Sequence, residues 1–156
     1  MLTLALTVST LLATNPCTLV TPAEAMTITG KRPTSILNYG PEKDPDTKAS
    51  VTWCVMGGAP VGLLLYVDAY ASPEAALAAV TPQRIQSLMD SDVKVEPEPG
   101  LGDRAFWAHN DTSARVVVIR GATVMSILIG GVDLTKAGEM RGPARTLALT
   151  ALKRLE

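Results

Sequence analysis

The sequence has little of several residue types that catalytic and nucleic-acid-binding sites use. It contains one histidine, His109, which excludes a metal centre built on two or more histidines. Its 14 basic and 15 acidic residues are scattered, and no basic run is long enough to neutralise a row of phosphates. The composition therefore excludes a nucleic-acid partner, and no polybasic face favours an anionic membrane surface.

Long hydrophobic runs are also missing. Residues 2–13 form an apolar stretch that is too short to span a bilayer, so we do not expect an integral membrane protein. The stretch resembles the apolar centre of a secretory signal, although no Lys or Arg precedes Lys31. We expect residues 1–14 to be a signal-like segment; the alternative is an N-terminal strand or buried helix. Asn15 and Pro16 do not fit a lipidation signal at Cys17.

Only two cysteines are present, Cys17 and Cys54, 37 positions apart. An even count behind an export-like segment predicts one structural disulfide in an oxidising compartment. Oxidation would remove the thiolate that a nucleophilic cysteine needs. We therefore expect a periplasmic or secreted protein in which these residues are structural.

The balance of hydrophobic and charged residues indicates one globular domain over residues 15–156. Hydrophobic residues make up 47% and charged residues 19% of the chain, which is enough apolar surface for one core. Residues 31–50 are polar and interrupted by three prolines and a glycine. This segment is predicted to be a flexible surface loop.

Local patterns predict an α+β fold. Thr21-Pro22 and Ser72-Pro73, each followed by a glutamate, are typical of helix starts. The first helix should end at Gly30, and the second should run to about residue 90 with a bend at Pro82. A third helix should end the chain, and Gly138, Gly142 and Pro143 could delay its start until Pro143. Alternating or β-branched runs predict strands at 51–56, 61–70, 93–96, 104–109, 115–120 and 123–129.

The predicted architecture is a single antiparallel sheet with helices packed against it, in the order roughly α-β-β-α-β-β-β-α. Residues 51–56 and 61–70 form one hairpin around a glycine-rich turn, and 115–120 and 123–129 form another. Trp53, Phe106 and Trp107 are expected to be core or half-buried packing residues. With six aromatic residues in the chain, no aromatic sugar-binding platform is predicted.

Candidate catalytic and ligand motifs are weak. His109 could serve a hydrolase, but no Gly-x-Ser-x-Gly elbow is present and Asp111 is too close in sequence to suggest a triad. Residues 99–103 (PGLGD) match no phosphate-binding pattern and precede a strand, so a turn is expected. Glu42, Asp44 and Asp46 could be calcium ligands, but Pro45 and the absence of the loop glycine and terminal glutamate do not fit an EF-hand, so a solvated acidic loop is expected. We predict no catalytic, cofactor-binding or metal-binding residues and no cofactor.

The sequence resembles a family of small exported bacterial proteins, many of them lipoproteins, called domain of unknown function 3558. The matching segments are residues 15–24 (NPCTLVTPAE), 52–54 (TWC) and 99–107 (PGLGDRAFW), together with the helix from Ser72 and the hairpin at 116–129. The resemblance implies a disulfide between Cys17 and Cys54 and an extracytoplasmic address. It implies no activity.

Three functions are compatible with these patterns. The favoured one is an exported, non-catalytic binding or interaction domain whose partner is an unidentified protein or envelope component. An alternative is a periplasmic inhibitor or immunity-type protein that masks a partner enzyme. A hydrolase that uses His109 is the third and least favoured.

Overall fold

The structure, a computed structural model, describes residues 14–58, 60–89, 92–131 and 137–155. Nearly all of the predicted signal-like segment 1–14 therefore lies outside the described residues. Seven strands form one antiparallel sheet: β1 (Ser35–Lys43), β2 (Ser50–Gly57), β3 (Val61–Ala69), β4 (Lys94–Pro97), β5 (Arg104–His109), β6 (Ser113–Arg120) and β7 (Thr123–Gly131). Their order across the sheet is β1-β2-β3-β7-β6-β5-β4.

Four α-helices pack around this sheet: α1 (Pro22–Thr29), α2 (Pro73–Ala79), α3 (Pro82–Leu88) and α4 (Arg141–Leu155). Short 3-10 helices precede α1 at Pro16–Thr18 and α4 at Ala137–Met140. The predicted α+β fold is confirmed, and the C-terminal helix begins at Arg141. No helix in the described part of the chain is both long and apolar enough to cross a membrane.

The helix starts follow the sequence closely. Thr21 caps α1 through a reciprocal pair of hydrogen bonds with Glu24, and Gly30 ends the helix in a left-handed conformation. Ser72 caps α2 in the same position relative to a proline. The predicted single helix up to residue 90 is wrong, because Thr81 caps a separate helix whose first residue is Pro82. A proline that cannot continue a helix is well suited to begin one.

The prediction of a flexible loop at 31–50 is also wrong, because these residues include strand β1. Among the described strands, β1 lies at the edge of the sheet and pairs with β2 alone, and all nine of its residues are exposed. The pairing is irregular between Tyr39 and Glu42, around Pro41. Prolines are tolerated at sheet edges, and a strand that buries neither face shows no alternation that sequence could reveal.

The sheet separates two apolar layers. On the first face, α1 and α4 cover buried side chains that include Met56, Leu65 and Trp107. On the second face, α2 and α3 pack on a smaller cluster that includes Phe106, Val117 and Val124. The two helices lie over β4–β7, and the second face is less covered where β1, β2 and β3 extend beyond them. This uneven cover positions the site described below.

The predicted disulfide between Cys17 and Cys54 is present, with Cα atoms 5.1 Å apart. Cys54 is fully buried on the first face of β2, and Cys17 belongs to the 3-10 helix before α1. The bond therefore fixes the N-terminal part of the domain to the sheet.

Candidate functional site

A cavity of about 280 Å³ lies between the second face of the sheet and the helices α2 and α3. We call it the sheet cavity. Its floor comes from the strands and its roof from the helices, and the lining residues are Asp44, Val51, Tyr66, Asp68, Tyr70, Ala79, Val80, Arg84, Ile85, Leu88, Arg115, Val117, Val124, Ser126 and Leu128. Eight of these fifteen residues are apolar and the other seven offer polar or charged groups. Apolar surface combined with polar groups that can fix orientation is typical of small-molecule sites.

Strand register brings the polar floor residues together. Tyr66 of β3 lies opposite Ser126 of β7, and Ser126 lies opposite Val117 of β6. Asp68, two residues after Tyr66, lies opposite Val124. Because alternate residues of a strand share one face, all of these side chains project toward α2 and α3.

Asp68 is the unusual group in the sheet cavity. Its Oδ1 atom is shielded from solvent and accepts no hydrogen bond from any described residue. Burial raises the pKa of the Asp68 carboxyl from 3.8 to about 6, and the positive charge of Arg115 opposes that rise only in part. Unpaired buried carboxylates are costly and are concentrated at functional sites.

Arg115 supplies a cation to the same floor. Its Nε and Nη2 atoms donate to Ser126 Oγ at 3.3 and 2.9 Å, and its guanidinium lies 5.4 Å from the centre of the Tyr66 ring. Burial lowers the pKa of Arg115, yet an arginine stays protonated at neutral pH. The hydroxyl and the ring position the guanidinium without neutralising it.

At the rim of the sheet cavity, the charges of Asp44 and Arg84 offset each other. Asp44 accepts hydrogen bonds from the backbone N–H groups of Asp46 and Thr47 at 2.9 and 2.7 Å, and its other oxygen lies 3.8 Å from Arg84. The Thr47 hydrogen bond is the main reason why the pKa of Asp44 is lowered. Asp44 thus shapes the turn before β2 and offsets the charge of Arg84.

A row of aromatic rings leads from the sheet cavity to the edge of the sheet. Tyr39, Trp53 and Tyr66 lie opposite one another on β1, β2 and β3, with ring centres 5.4 and 6.5 Å apart. Sequence reasoning missed this row because Tyr39 falls in the predicted loop. The alternation of β2 and β3 could have placed Trp53 and Tyr66 on one face, but no local signal marks Tyr39 as their neighbour.

The structure places the sequence candidates away from the sheet cavity, except Asp44. His109 ends β5 on the first face and its ring lies 6.1 Å from that of Trp107. Cys17 and Cys54 also belong to the first face. No group of three or more His, Cys, Asp or Glu side chains that could hold a metal ion occurs among the described residues.

The glycine-containing segment 99–103 forms a turn that is hydrogen-bonded to the β6–β7 hairpin. Asp103 accepts a hydrogen bond from the Gly121 N–H at 2.6 Å, and the Asp103 N–H donates to the Ile119 carbonyl at 2.8 Å. Gly102 has a φ of +54° and lies so close to the Ile119 carbonyl that a Cβ atom would clash with it. This segment has a structural explanation that requires no phosphate.

The fold of this chain is similar to that of a solved extracellular domain. It matches the extracellular domain of PknH from Mycobacterium tuberculosis with a TM-score of 0.58 and 9% sequence identity, over 90% of this chain and 94% of that chain. At this identity the similarity establishes the fold alone. No protein-family model and no curated protein sequence matches the chain. Membership of domain of unknown function 3558 therefore stays a prediction.

Proposed function

We propose that this chain is an exported, non-catalytic domain that binds a small molecule in the sheet cavity. The observation that carries the proposal is the Asp68 carboxylate, which lines an apolar-walled cavity and has an oxygen without a hydrogen-bond partner. A ligand that donates a hydrogen bond there would supply the missing contact.

The free-energy cost of an ionised Asp68 carboxylate supports this interpretation. A rise in pKa from 3.8 to about 6 corresponds to roughly 3 kcal/mol that the ionised carboxylate costs the fold at neutral pH. Small domains are stable by only about 5–15 kcal/mol, so this is a large fraction. A charge placed at such a cost is explained when a ligand compensates it.

Two observations support export. A disulfide joins the two cysteines, which is typical of oxidising compartments. The fold is also that of an extracellular domain in another protein. Intact-mass measurement on protein from the native host tests this part: we expect a chain that lacks residues up to about 13 and has no lipid. A full-length species with two free thiols would contradict export.

Native mass spectrometry on protein isolated from its own host tests the binding proposal. We expect a bound small molecule on the wild-type chain and its loss in Val80→Phe, which fills the sheet cavity from the roof. Ala78→Phe is the matched control, since Ala78 is an exposed residue of α2, which ends directly before Val80, and does not line the cavity. Equal retention of ligand by Val80→Phe and the wild type would place binding elsewhere.

A further inference from the structure

The four charged residues of the sheet cavity divide into two kinds. Asp44 and Arg84 face each other across 3.8 Å at the rim. Asp68 and Arg115 have no such partner: Asp68 Oδ1 accepts no hydrogen bond, and Arg115 donates to an uncharged hydroxyl. One negative and one positive group on the floor are therefore uncompensated by any described residue at hydrogen-bond distance.

The strand register keeps these two charges apart. Arg115 reaches the row of the sheet that holds Tyr66 and Ser126, and Asp68 belongs to the next row on the same face. Neighbouring rows on one face of an antiparallel strand have backbones about 7 Å apart. No hydrogen bond joins the Asp68 carboxylate to the Arg115 guanidinium, so each group could form its own charge-assisted hydrogen bond with a ligand that has a short spacer between its two charges.

The apolar wall begins beside this pair. Val80, Ile85 and Leu88 contribute aliphatic side chains from the roof, and Val117 and Val124 contribute them from the floor. A ligand that satisfied both charges would therefore have an adjacent apolar surface for a hydrophobic group.

We propose, on the basis of the proposed binding function, that the sheet cavity takes a zwitterion with an apolar group. Its ammonium would donate to Asp68, its anionic group would accept from Arg115, and its apolar part would lie against Val80 and Ile85. A ligand with one charge would leave either Asp68 or Arg115 buried against it without a partner, which is costly. Matching both charges makes the zwitterion the best complement.

Two sources have this chemistry: a free amino acid with an apolar side chain, and the headgroup of a zwitterionic phospholipid. Leucine and phenylalanine represent the first source. Lysophosphatidylethanolamine, used below its micelle concentration, represents the second. Binding by either supports the inference, and the tighter of the two identifies the source.

The decisive experiment compares each zwitterion with analogues that lack one charge. Calorimetry on ligand-free wild type would use leucine, 3-methylbutylamine and 4-methylpentanoate, and in parallel phenylalanine, 2-phenylethylamine and 3-phenylpropanoate; lysophosphatidic acid, which has no ammonium, is the lipid analogue. We expect each single-charge analogue of the binding zwitterion to bind at least about tenfold more weakly, since one charge-assisted hydrogen bond is lost. Trp53 fluorescence gives a second readout, because its ring stacks on Tyr66, which lines the cavity.

Two variants assign each charge to its partner. Asp68→Asn should lower the affinity for the zwitterion about tenfold and leave the affinity for the acid analogue unchanged. Arg115→Met should also lower the affinity for the zwitterion, but leave the affinity for the amine analogue unchanged. Asp111→Asn, an exposed site outside the cavity, should change neither. Loss of fold would weaken all probes together and would be visible by circular dichroism.

Three results overturn the inference. One is an analogue with a single charge that binds as tightly as its zwitterion; in that case the cavity is still a binding site, and the proposed function stands. Another is equal weakening of all probes by a variant that remains folded. The third is no binding by any probe, after which native mass spectrometry of the Val80→Phe variant still decides the proposed function separately.

Discussion

Among single residues, Asp68 should be the main source of the pH dependence of stability between about pH 4 and pH 6. Its pKa is about 6 in the folded protein and 3.8 in the unfolded chain. Between these values the folded protein holds a proton that the unfolded chain has lost. Stability therefore falls as the pH rises from about 4 to about 6, and Asp68 causes no further fall above that. The ionised carboxylate is the destabilising form.

We therefore expect Asp68→Asn to raise the free energy of unfolding of ligand-free protein by roughly 1–3 kcal/mol at pH 7.5. The gain should shrink as the pH approaches 4, because wild-type Asp68 is then protonated as well. Urea denaturation at several pH values measures this. Asp111→Asn is the control, and a loss of stability in Asp68→Asn at pH 7.5 would show that the carboxylate has a partner.

Glu98 is the opposite case, a buried carboxylate with two cationic partners. It is 6% exposed and accepts from Arg141 Nε at 2.7 Å and from Arg145 Nη1 at 2.5 Å. The contacts join the segment before β5 to α4. Because both arginines are about one-third exposed, their charges can be partly rehydrated when the glutamate is removed.

Glu98→Ala should lower the free energy of unfolding by roughly 2–3 kcal/mol. Glu96→Ala removes a carboxylate that also pairs with Arg141 at 2.7 Å but is half-exposed, and it should cost less than about 1 kcal/mol. Chemical denaturation of the two variants side by side measures the difference. Equal losses would mean that burial of Glu98 adds nothing to the pair.

At the scale of elements, α1 and α4 are joined by one charge pair. Arg154, near the end of α4, donates to both oxygens of Glu24 in the first turn of α1, at 2.6 and 2.7 Å. The hydrogen bond from Arg154 is the main cause that lowers the pKa of Glu24 from 4.5 to about 2. A carboxyl with a lowered pKa stabilises above its unfolded value, and the contribution is lost as the pH falls from about 4.5 to about 2.

Glu24→Gln should therefore reduce stability at pH 7 by no more than about 1 kcal/mol, because the pair is solvent-exposed, and should make the acid limb of the stability curve shallower. The measurement is thermal unfolding from pH 7 down to pH 2. High salt should reduce the difference between the variant and the wild type. A difference that persists unchanged at pH 2 would assign the effect to the helix cap of Thr21 instead.

Elements differ in how well local sequence predicts them. α1, α2 and α3 begin where a threonine or serine precedes a proline, and these residues specify a helix start through their own side chains and backbone angles. β1 has no comparable signal. Its nine exposed residues become a strand because β2 provides a hydrogen-bonding edge, which is a non-local condition.

For the whole molecule, the disulfide should be a major source of stability. It closes a loop of 37 residues that includes α1 and the exposed strand β1. On the chain-entropy model such a loop contributes roughly 4 kcal/mol by restricting the unfolded chain. The fully exposed β1 buries little surface to offset its own ordering.

The double variant Cys17→Ala, Cys54→Ala, which leaves no free thiol, should lower the free energy of unfolding by about 2–5 kcal/mol. Reduction of the wild type should give a similar loss, measured by urea denaturation with and without reductant. The far-ultraviolet spectrum below the transition should stay that of the wild type, since the sheet does not depend on the bond. A loss below about 1 kcal/mol would mean that the unfolded chain is already restricted.

Local patterns in the sequence are enough to predict the α+β class, the two hairpins, the starts of α1 and α2 and the cysteine pair. These depend on periodicity, capping chemistry and residue count, which act over a few neighbouring positions or over the composition as a whole. β1 and the sheet cavity depend on long-range packing, whereas the break between α2 and α3 is encoded locally by Thr81 and Pro82. Asp68 and Arg115 are 47 positions apart, and only the order β3-β7-β6 brings them onto one floor beneath Val80. A site assembled from strand register across non-consecutive strands has no local signature, because pairing is fixed by the packing of the whole sheet.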